Sequence, residues 1–118
     1  MAKTGMVIGL IAILAAIGFG IYGVSAAEQP VVFTEEYLND PEVFKQGKEI
    51  WFEQCVHCHG YNAYPGKAPK LKPKRYKPEF VYKRVAKGFK KMPAWEDVYE
   101  KEELMAVVAY VKSKNFSP

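Results

Sequence analysis

Residues 55 to 59, Cys55-Val56-His57-Cys58-His59, carry the chemistry around which this chain folds. Two cysteines three residues apart lie on one side of a helical turn, and a histidine follows directly. Thiols at this spacing can bond covalently to the two vinyl groups of one haem, while His59 beside them can ligate the iron. The pentapeptide therefore predicts a c-type haem attachment site with Cys55 and Cys58 as the covalent anchors.

Two other kinds of site share parts of this motif. The pentapeptide has four potential zinc ligands, but zinc motifs usually separate two ligand pairs by a longer loop, and the chain has no further Cys or His. A thioredoxin-like redox pair needs a βαβ context, and no alternating strand pattern occurs in the sequence. Both alternatives are therefore weaker than haem attachment.

Length and composition limit the classes of protein that need to be considered. With 118 residues, 49% hydrophobic and 25% charged, the chain suits one compact domain and excludes a multidomain enzyme, a disordered chain and a polytopic membrane protein. Charge is distributed unevenly, because the 24 residues between Lys3 and Glu28 carry none, whereas residues 28 to 118 carry 29 of the 30 charged side chains. This division predicts a membrane segment followed by a small polar domain.

The uncharged segment is long enough to cross a membrane. As a helix, residues 4 to 27 would extend ~36 Å, against a hydrocarbon core of ~30 Å. A secretory signal peptide ending at Val24-Ser25-Ala26 is the competing interpretation. Lys3 fits a cytoplasmic N-terminus. We expect residues 1 to 27 to be a transmembrane anchor or uncleaved signal, residues 28 to 39 a linker, and residues 40 to 118 a haem domain on the periplasmic or outer side of a bacterial cytoplasmic membrane.

Small residues recur along one face of this segment. They fall at spacings of three and four residues, which allow another helix to approach closely, so other transmembrane subunits are expected partners. Gly and Ala are also simply common in membrane helices, and that explanation stays open. The residues are Gly5, Gly9, Ala12, Ala16, Gly20 and Gly23.

Three amphipathic helices are predicted after the linker, and the domain is therefore expected to be all-α. Asp40 and Pro41 suit the first two positions of a helix that runs into Cys55, with apolar residues on one face. Pro78 and Gly88 bracket a short middle helix, and a last helix is expected from about Lys101 to Lys114. The apolar faces comprise Val43, Phe44, Gly47, Ile50 and Trp51, then Phe80, Val81 and Val85, and then Leu104, Met105, Val107, Val108 and Val111.

Residues 40 to 114 resemble a monohaem class I cytochrome c. Besides the CxxCH motif, Gly47-Lys48-Glu49-Ile50-Trp51 resembles the family's N-terminal helix, and Ala109-Tyr110-Val111 resembles its C-terminal helix. The resemblance implies a small all-α fold around one covalently bound haem c. It also implies that these two helices cross closely, with Gly47 admitting Tyr110 because glycine has no side chain at the crossing.

The iron needs a sixth ligand or an open position. His57 is two residues from His59 and cannot reach the opposite face of the haem, so methionine is the expected ligand. Met1 and Met6 belong to the apolar segment, and Met105 is expected in the core of the last helix. Met92 remains, and Met92-Pro93-Ala94-Trp95 resembles the family sequence that carries the distal ligand. Iron is thus predicted to be held by His59 and Met92.

A second loop resembles the family in one position. Ala68-Pro69-Lys70-Leu71 resembles the loop proline whose backbone neighbourhood accepts a hydrogen bond from the proximal imidazole, which would orient His59. Pro69 is therefore a candidate haem-binding residue by resemblance. A plain turn proline is the alternative.

Residues 67 to 91 are strongly basic, with eleven Lys and Arg side chains against Glu79 alone, a net formal charge of +10. Such a segment is expected to form a positive face that attracts the acidic docking surface of a redox protein. Nucleic acid or anionic lipid could also attract it, and a solvated face without a partner is a further alternative. Because redox partners meet around an exposed haem edge, we expect a protein partner and no nucleic acid.

These observations predict an electron-transfer protein and not an enzyme. The expected function is to carry single electrons between redox partners, as the haem subunit of a membrane respiratory or photosynthetic complex or as a tethered shuttle. The alternative is a small-molecule-binding haem sensor or enzyme subunit in which Met92 is displaced. No distal His or Arg is obviously placed for that chemistry, which weighs against the alternative.

Overall fold

A computed structural model describes residues 29–116 of the chain, and these residues are helical with irregular connections. Within this range there is no β-strand, and the single bridge pairs Phe89 with Met92. The predicted all-α class is therefore confirmed for the haem domain. The helices are α1 Glu35–Leu38, α2 Pro41–Ile50, α3 Val56–His59, α4 Pro78–Lys87 and α5 Lys101–Lys112, with a π-helical turn at Trp51–Cys55 and a 3₁₀ turn at Pro73–Arg75.

Helix α2 begins where the sequence predicts. The Asp40 carboxylate accepts hydrogen bonds from the backbone N–H groups of Glu42 and Val43, at 2.8 and 3.2 Å, and Pro41 occupies the first turn. The helical path then continues through the wider π turn into α3. This continuous path delivers Cys55 and His59 from the end of a helix whose other face is anchored in the core.

Helix α5 is the centre of the domain, and both α2 and α4 pack on it. A reciprocal capping box between Glu100 and Glu103 starts the helix. The helix ends at Lys112, two residues earlier than predicted, and the chain then turns back into the core. Phe116 is thereby buried edge-on against Trp51, with ring centroids 4.7 Å apart.

Helix α4 is bracketed by Pro78 and Gly88 as predicted. Its apolar face differs from the prediction at one position, because Phe80 is exposed to 40% instead of buried. The Phe80 ring stacks on Tyr76, with centroids 4.9 Å apart. Phe80 therefore packs on an aromatic neighbour and also lines the cavity described below.

The segment expected to be a linker contains one short helix, α1. Thr34 caps it through a hydrogen bond from the Tyr37 N–H. The Tyr37 hydroxyl in turn lies 3.5 Å from the carbonyl oxygen of Glu102, and the ring of Phe33 lies 6.4 Å from that of Tyr82. Residues 33–38 therefore pack on the helical domain, whereas the predicted boundary at residue 40 stays a prediction.

The predicted anchor at residues 1 to 27 lies outside the described residues. Within residues 29–116, no helix has the length and apolar character needed to cross a membrane.

Candidate haem site

An apolar cavity of about 150 Å³ opens between the α2–α3 path, α4, α5 and the loop that precedes α4. The cavity walls are mainly aliphatic and aromatic side chains, and His59 and Met92 both line it although 32 residues separate them in the chain. Fourteen residues line the cavity: Trp51, Cys55, His59, Leu71, Lys72, Pro73, Tyr76, Phe80, Val81, Arg84, Val85, Met92, Val107 and Val111.

The CxxCH motif occupies the end of the π turn and the whole of α3. Cys55 is half-buried in the cavity wall, whereas Cys58, one helical turn later, is exposed and outside the cavity lining. The two thiols are free of any disulfide. The Trp51 ring packs 5.7 Å from the His59 ring, and the Trp51 indole donates a hydrogen bond to the Tyr61 carbonyl oxygen at 3.1 Å. Trp51 therefore braces the imidazole from the core side.

Met92 reaches the cavity from a tight turn. The backbones of Phe89 and Met92 exchange two hydrogen bonds, at 3.1 and 2.9 Å, across Lys90 and Lys91. The Met92 side chain is half-buried and packs against the cluster formed by Val85, Ala86 and Leu104. Met105 is also half-buried but is not among the residues that line the cavity. Of the two methionines among the described residues, Met92 is thus the one that lines the cavity together with His59.

Burial changes the acid–base properties of two groups at the cavity. Desolvation raises the pKa of the Cys55 thiol to about 12, with a smaller contribution from Cys58, so the free thiol stays protonated at neutral pH. A thioether has no proton to lose, which makes this buried position compatible with a covalently attached sulfur. Desolvation also lowers the pKa of His59, which favours the neutral imidazole that ligates metals.

Among residues 29–116, one buried side-chain polar atom lacks a hydrogen-bond partner, and it belongs to His59, the predicted iron ligand. Nδ1 of His59 has no hydrogen-bond partner. Pro69 is exposed and does not line the cavity, so the hydrogen bond expected between the Pro69 neighbourhood and the imidazole is absent from this structure. A buried imidazole nitrogen normally finds a partner, and metal ligation by one nitrogen with hydrogen bonding of the other is the usual arrangement. The assignment of Pro69 stays a prediction.

Lys72 and Arg84 line the cavity although sequence analysis did not single them out. No local motif marks them, because eleven cations crowd residues 67 to 91 and only the fold selects these two. Positive charge beside an apolar cavity suits a planar apolar group that carries carboxylates, as haem does. Arg84 thus lines the same cavity as Met92, although no arginine is obviously placed there by the sequence.

Lys112 is a third residue that the sequence did not reveal. Its ammonium group donates hydrogen bonds to the carbonyl oxygens of Pro73, at 2.8 Å, and Tyr76, at 2.5 Å. Burial lowers the pKa of this ammonium group, and the charge of Glu79 opposes that shift. Because Pro73 and Tyr76 line the cavity, Lys112 fastens one cavity wall to the C-terminal end of α5.

The positions of the potential metal ligands bear on the alternative of a zinc site. Within the described part of the chain, no three His, Cys, Asp or Glu side chains come together as a group that could hold a metal ion. The donors present are instead a histidine and a methionine at one apolar cavity, with a cysteine in its wall. This donor set, the unpartnered imidazole nitrogen and the apolar walls fit a haem.

Comparison with known families agrees with this geometry. Residues 42–111 match the family model described as cytochrome c oxidase, cbb3-type, subunit III, over more than half of the chain. The chain belongs to this cytochrome c family. It is a monohaem cytochrome c, and its cofactor is a covalently bound haem c with iron. In this cytochrome, Cys55 and Cys58 occupy the positions of the CxxCH motif.

Solved structures share the fold of this cytochrome c. Cytochrome cL from the marine methylotrophic bacterium Methylophaga aminisulfidivorans superimposes with a TM-score of 0.60 at 23% identity, over 69% of this chain and 61% of that chain. The c-type cytochrome NirC superimposes with a TM-score of 0.52 at 21% identity, over 67% of this chain and 99% of its own. This cytochrome thus spans less than two thirds of the first of these relatives and nearly all of the second.

A haem bound at this site supplies one-electron chemistry at its iron. The cytochrome's own residues supply the rest of the site. Cys55 and Cys58 would anchor the group, and His59 and Met92 would hold its iron. Trp51, Val85 and their apolar neighbours exclude water around it. Low polarity and a hydrophobic shell favour the form with less net charge and so help to set the reduction potential.

Proposed function

We propose that this cytochrome c is a membrane-anchored carrier of single electrons between redox partners on the periplasmic or outer face of a bacterial cytoplasmic membrane. One observation carries the electron-carrier assignment: His59 and Met92 line the same apolar cavity. If both side chains ligate the iron, no coordination position is left for a substrate. Such a site changes oxidation state with little rearrangement and makes or breaks no bond to a substrate.

Membrane attachment is supported by the sequence. Residues 4 to 27 are uncharged and long enough for a transmembrane helix, and Lys3 before them fits a cytoplasmic N-terminus. The matched family is described as a subunit of cbb3-type cytochrome c oxidase, which supports a place in a respiratory complex. The stripe of small residues from Gly5 to Gly23 supports a fixed subunit that contacts other membrane helices over a tethered shuttle.

The proposed partners are redox proteins with acidic docking surfaces. The basic segment of residues 67 to 91 carries a net formal charge of +10, and it includes Arg84 and Lys72 at the cavity itself. A positive surface next to the site accelerates encounter with an acidic partner through long-range attraction. Fast encounter and weak attachment suit a protein that must release its partner after each electron.

A haem sensor or small-molecule-binding subunit is the alternative. It requires that Met92 leave the iron, and Arg84 would then be a cation at the same cavity as a bound ligand. The packing of Met92 against Val85, Ala86 and Leu104 and its two backbone hydrogen bonds to Phe89 oppose that movement. The electron carrier is therefore the better supported function.

The first experiment uses the full chain produced with export and haem-attachment machinery. Intact mass should show one added haem, and acid–acetone should leave the pigment on the protein but extract it from a Cys55→Ala/Cys58→Ala variant. The reduced protein should not change its visible spectrum under CO, because both axial positions are filled. A CO complex that forms readily with the wild type would support the sensor function instead.

The second experiment tests membrane attachment and orientation. The full chain should stay in the membrane fraction after alkaline carbonate extraction, and a variant lacking residues 1 to 27 behind a cleavable export signal should be released. Protease added to spheroplasts should digest the haem domain of the anchored form. Release of the full chain by carbonate, or protection from protease, would contradict the anchored location on the outer face.

A further inference from the structure

A continuous stack of aromatic and cationic side chains begins among the residues that line the cavity and continues to Phe89 outside that lining. The Tyr76 and Phe80 rings stack with centroids 4.9 Å apart and an interplanar angle of 17°. The Arg84 guanidinium then lies 4.9 Å from the Phe80 centroid and 4.0 Å from that of Phe89. We call Tyr76, Phe80 and Phe89, with Arg84 between them, the aromatic rim. Its rings are held in place by each other and by the guanidinium.

The aromatic rim leaves much apolar surface uncovered. Tyr76, Phe80 and Phe89 are 47%, 40% and 50% exposed. Tyr76 and Phe80 also line the cavity, so part of their open surface faces the cavity itself. Phe89 is not part of the cavity lining, so the cavity does not account for its exposed half. Phe89 is therefore the member of the rim whose exposure the cofactor does not explain.

The surroundings of Phe89 indicate what covers it. It lies in the basic segment of residues 67 to 91, and the Lys90 ammonium is 5.4 Å from its ring centroid. Apolar side chains ringed by charge mark interaction surfaces, and rigid aromatic groups beside an arginine are typical of the residues that contribute most to binding. Resting on the function proposed above, we infer that the aromatic rim is the contact surface for an acidic redox protein, with Phe89 as its anchor outside the cavity lining.

The position of Phe89 also connects a docked partner to the iron site. Phe89 exchanges two backbone hydrogen bonds with Met92, the predicted axial ligand, at 3.1 and 2.9 Å. A partner that covers the Phe89 ring thus rests on the turn that holds Met92. In the complex the partner would lose one electron and the cytochrome would gain it at its haem, with no atom or proton exchanged.

The aromatic rim and the outer lysines have different roles in this complex. Exposed lysines act over a distance, so they change the association rate and respond to salt. The rim makes contact only after the two proteins meet, so it changes the dissociation rate and responds little to salt. Arg84 loses little freedom on binding because Phe80 and Phe89 already hold it, which lowers the cost of forming the contact.

The experiment uses full-length holoprotein in nonionic detergent, with a plant-type ferredoxin as the acidic redox partner. Three proteins are compared: the wild type, Phe89→Ser, and the matched control Val98→Ser, which removes an exposed apolar side chain outside the basic segment. Binding is measured by calorimetry and electron transfer by stopped-flow absorbance. We expect Phe89→Ser to weaken binding about tenfold, mainly through faster dissociation, and Val98→Ser to bind like the wild type.

The cofactor must be intact in each variant for this comparison. The near-infrared band of methionine ligation and the rate of reduction by a small neutral reductant should match the wild type in Phe89→Ser. If Phe89→Ser disturbs that band, Phe89→Leu replaces it, since this side chain remains apolar but loses the ring and its contact with Arg84. Its binding should lie between those of the wild type and Phe89→Ser.

The outcomes separate the two proposals. Equal ferredoxin binding by Phe89→Ser and Val98→Ser, with normal transfer by the wild type, would overturn the aromatic rim as the contact surface and leave the electron carrier standing. No transfer from ferredoxin to any of the proteins, together with CO binding by the reduced wild type, would overturn the proposed function. Binding of soluble dihexanoylphosphatidylglycerol that depends on Phe89, with ferredoxin binding that does not, would assign the rim to anionic lipid and overturn the protein partner.

Discussion

Gly47 of α2 lies directly against the carbonyl oxygen of Ala106 in α5. A Cβ atom at Gly47 would overlap that oxygen and would lie 3.0 Å from the Cβ of Tyr110. Both Gly47 and Ala106 are buried. The two helices therefore meet backbone to backbone at this point, and the predicted contact between Gly47 and Tyr110 is confirmed, with Ala106 even closer.

Replacing Gly47 with alanine should separate these helices. Alanine is favoured over glycine in a helix by about 0.5–1 kcal/mol, but overpacking against a backbone atom costs about 1–3 kcal/mol and outweighs that gain. We expect Gly47→Ala to lower the free energy of unfolding of the holoprotein by about 1 kcal/mol in chemical denaturation. Gln46→Ala, at an exposed position of the same helix, should change it by less than about 0.5 kcal/mol. Equal stability of the two variants would show that α2 and α5 can move apart at Gly47 without a loss of stability.

Met92 and Met105 can be distinguished by the spectrum of the oxidised protein. Met92 lines the cavity with His59, whereas Met105 lies on α5 outside the cavity lining. The weak near-infrared charge-transfer band of methionine ligation should vanish in Met92→Ala and persist in Met105→Leu. Loss of the band in Met105→Leu alone would transfer the axial role to Met105.

Gly88 controls the turn that carries Met92. Its φ of +72° lies in the left-handed region, and a Cβ there would lie 2.5 Å from the Met92 carbonyl oxygen and 2.8 Å from the Ala94 nitrogen. In Gly88→Ala, the left-handed backbone conformation costs about 1–2 kcal/mol in addition to the cost of this steric overlap. We expect a loss of about 2–3 kcal/mol of stability and a weakened near-infrared band.

The control for this prediction lies on the same helix. Lys83→Ala replaces an exposed side chain of α4 and should leave the band unchanged. An intact band in Gly88→Ala would mean that the turn shifts without moving the Met92 side chain.

Lys112 should affect the haem environment from outside the cavity. Lys112→Met removes the hydrogen bonds to the Pro73 and Tyr76 carbonyl oxygens, with an expected cost of about 1–2 kcal/mol at this half-buried position. The loosened wall should admit water and lower the reduction potential, because a more polar site favours the oxidised iron. Lys112→Arg should restore most of the potential, and Lys114→Met, at an exposed position, should leave it unchanged. A potential that does not move in Lys112→Met would limit Lys112 to a purely structural role.

Electron transfer with an acidic partner should slow as salt rises, because attraction to the basic segment is screened within ~8 Å at physiological ionic strength. Charge reversals at Lys90 and Lys91, next to Met92, should lower the second-order rate more than reversals at Lys45 and Lys114. Lys112 cannot serve as a control, since its ammonium group is bonded to the cavity wall. A rate that is independent of salt, or equal losses in both double variants, would indicate a solvated charged face instead of a docking surface.

Local sequence signals determined the main helices and the haem motif. Asp40 with Pro41 and Pro78 with Gly88 specify helix ends through hydrogen bonds and dihedral limits within a few residues, so the sequence alone predicts them. The covalent chemistry of Cys55, Cys58 and His59 also depends on spacing within a single turn. These features can be predicted without considering residues elsewhere in the chain.

The tertiary structure alone decided which distant residues share the cavity. No local motif distinguishes Arg84 from the other ten cations of residues 67 to 91. Phe80, expected in the core, both lines the cavity and stacks on Tyr76. Phe116 turns into the core, and Lys112 holds the cavity wall through contacts that span 39 and 36 residues along the chain. Such contacts depend on how α4 and α5 pack together, and packing is a property of the whole fold. The sequence therefore determined the cofactor and its attachment, whereas folding decided the cavity walls and the aromatic rim.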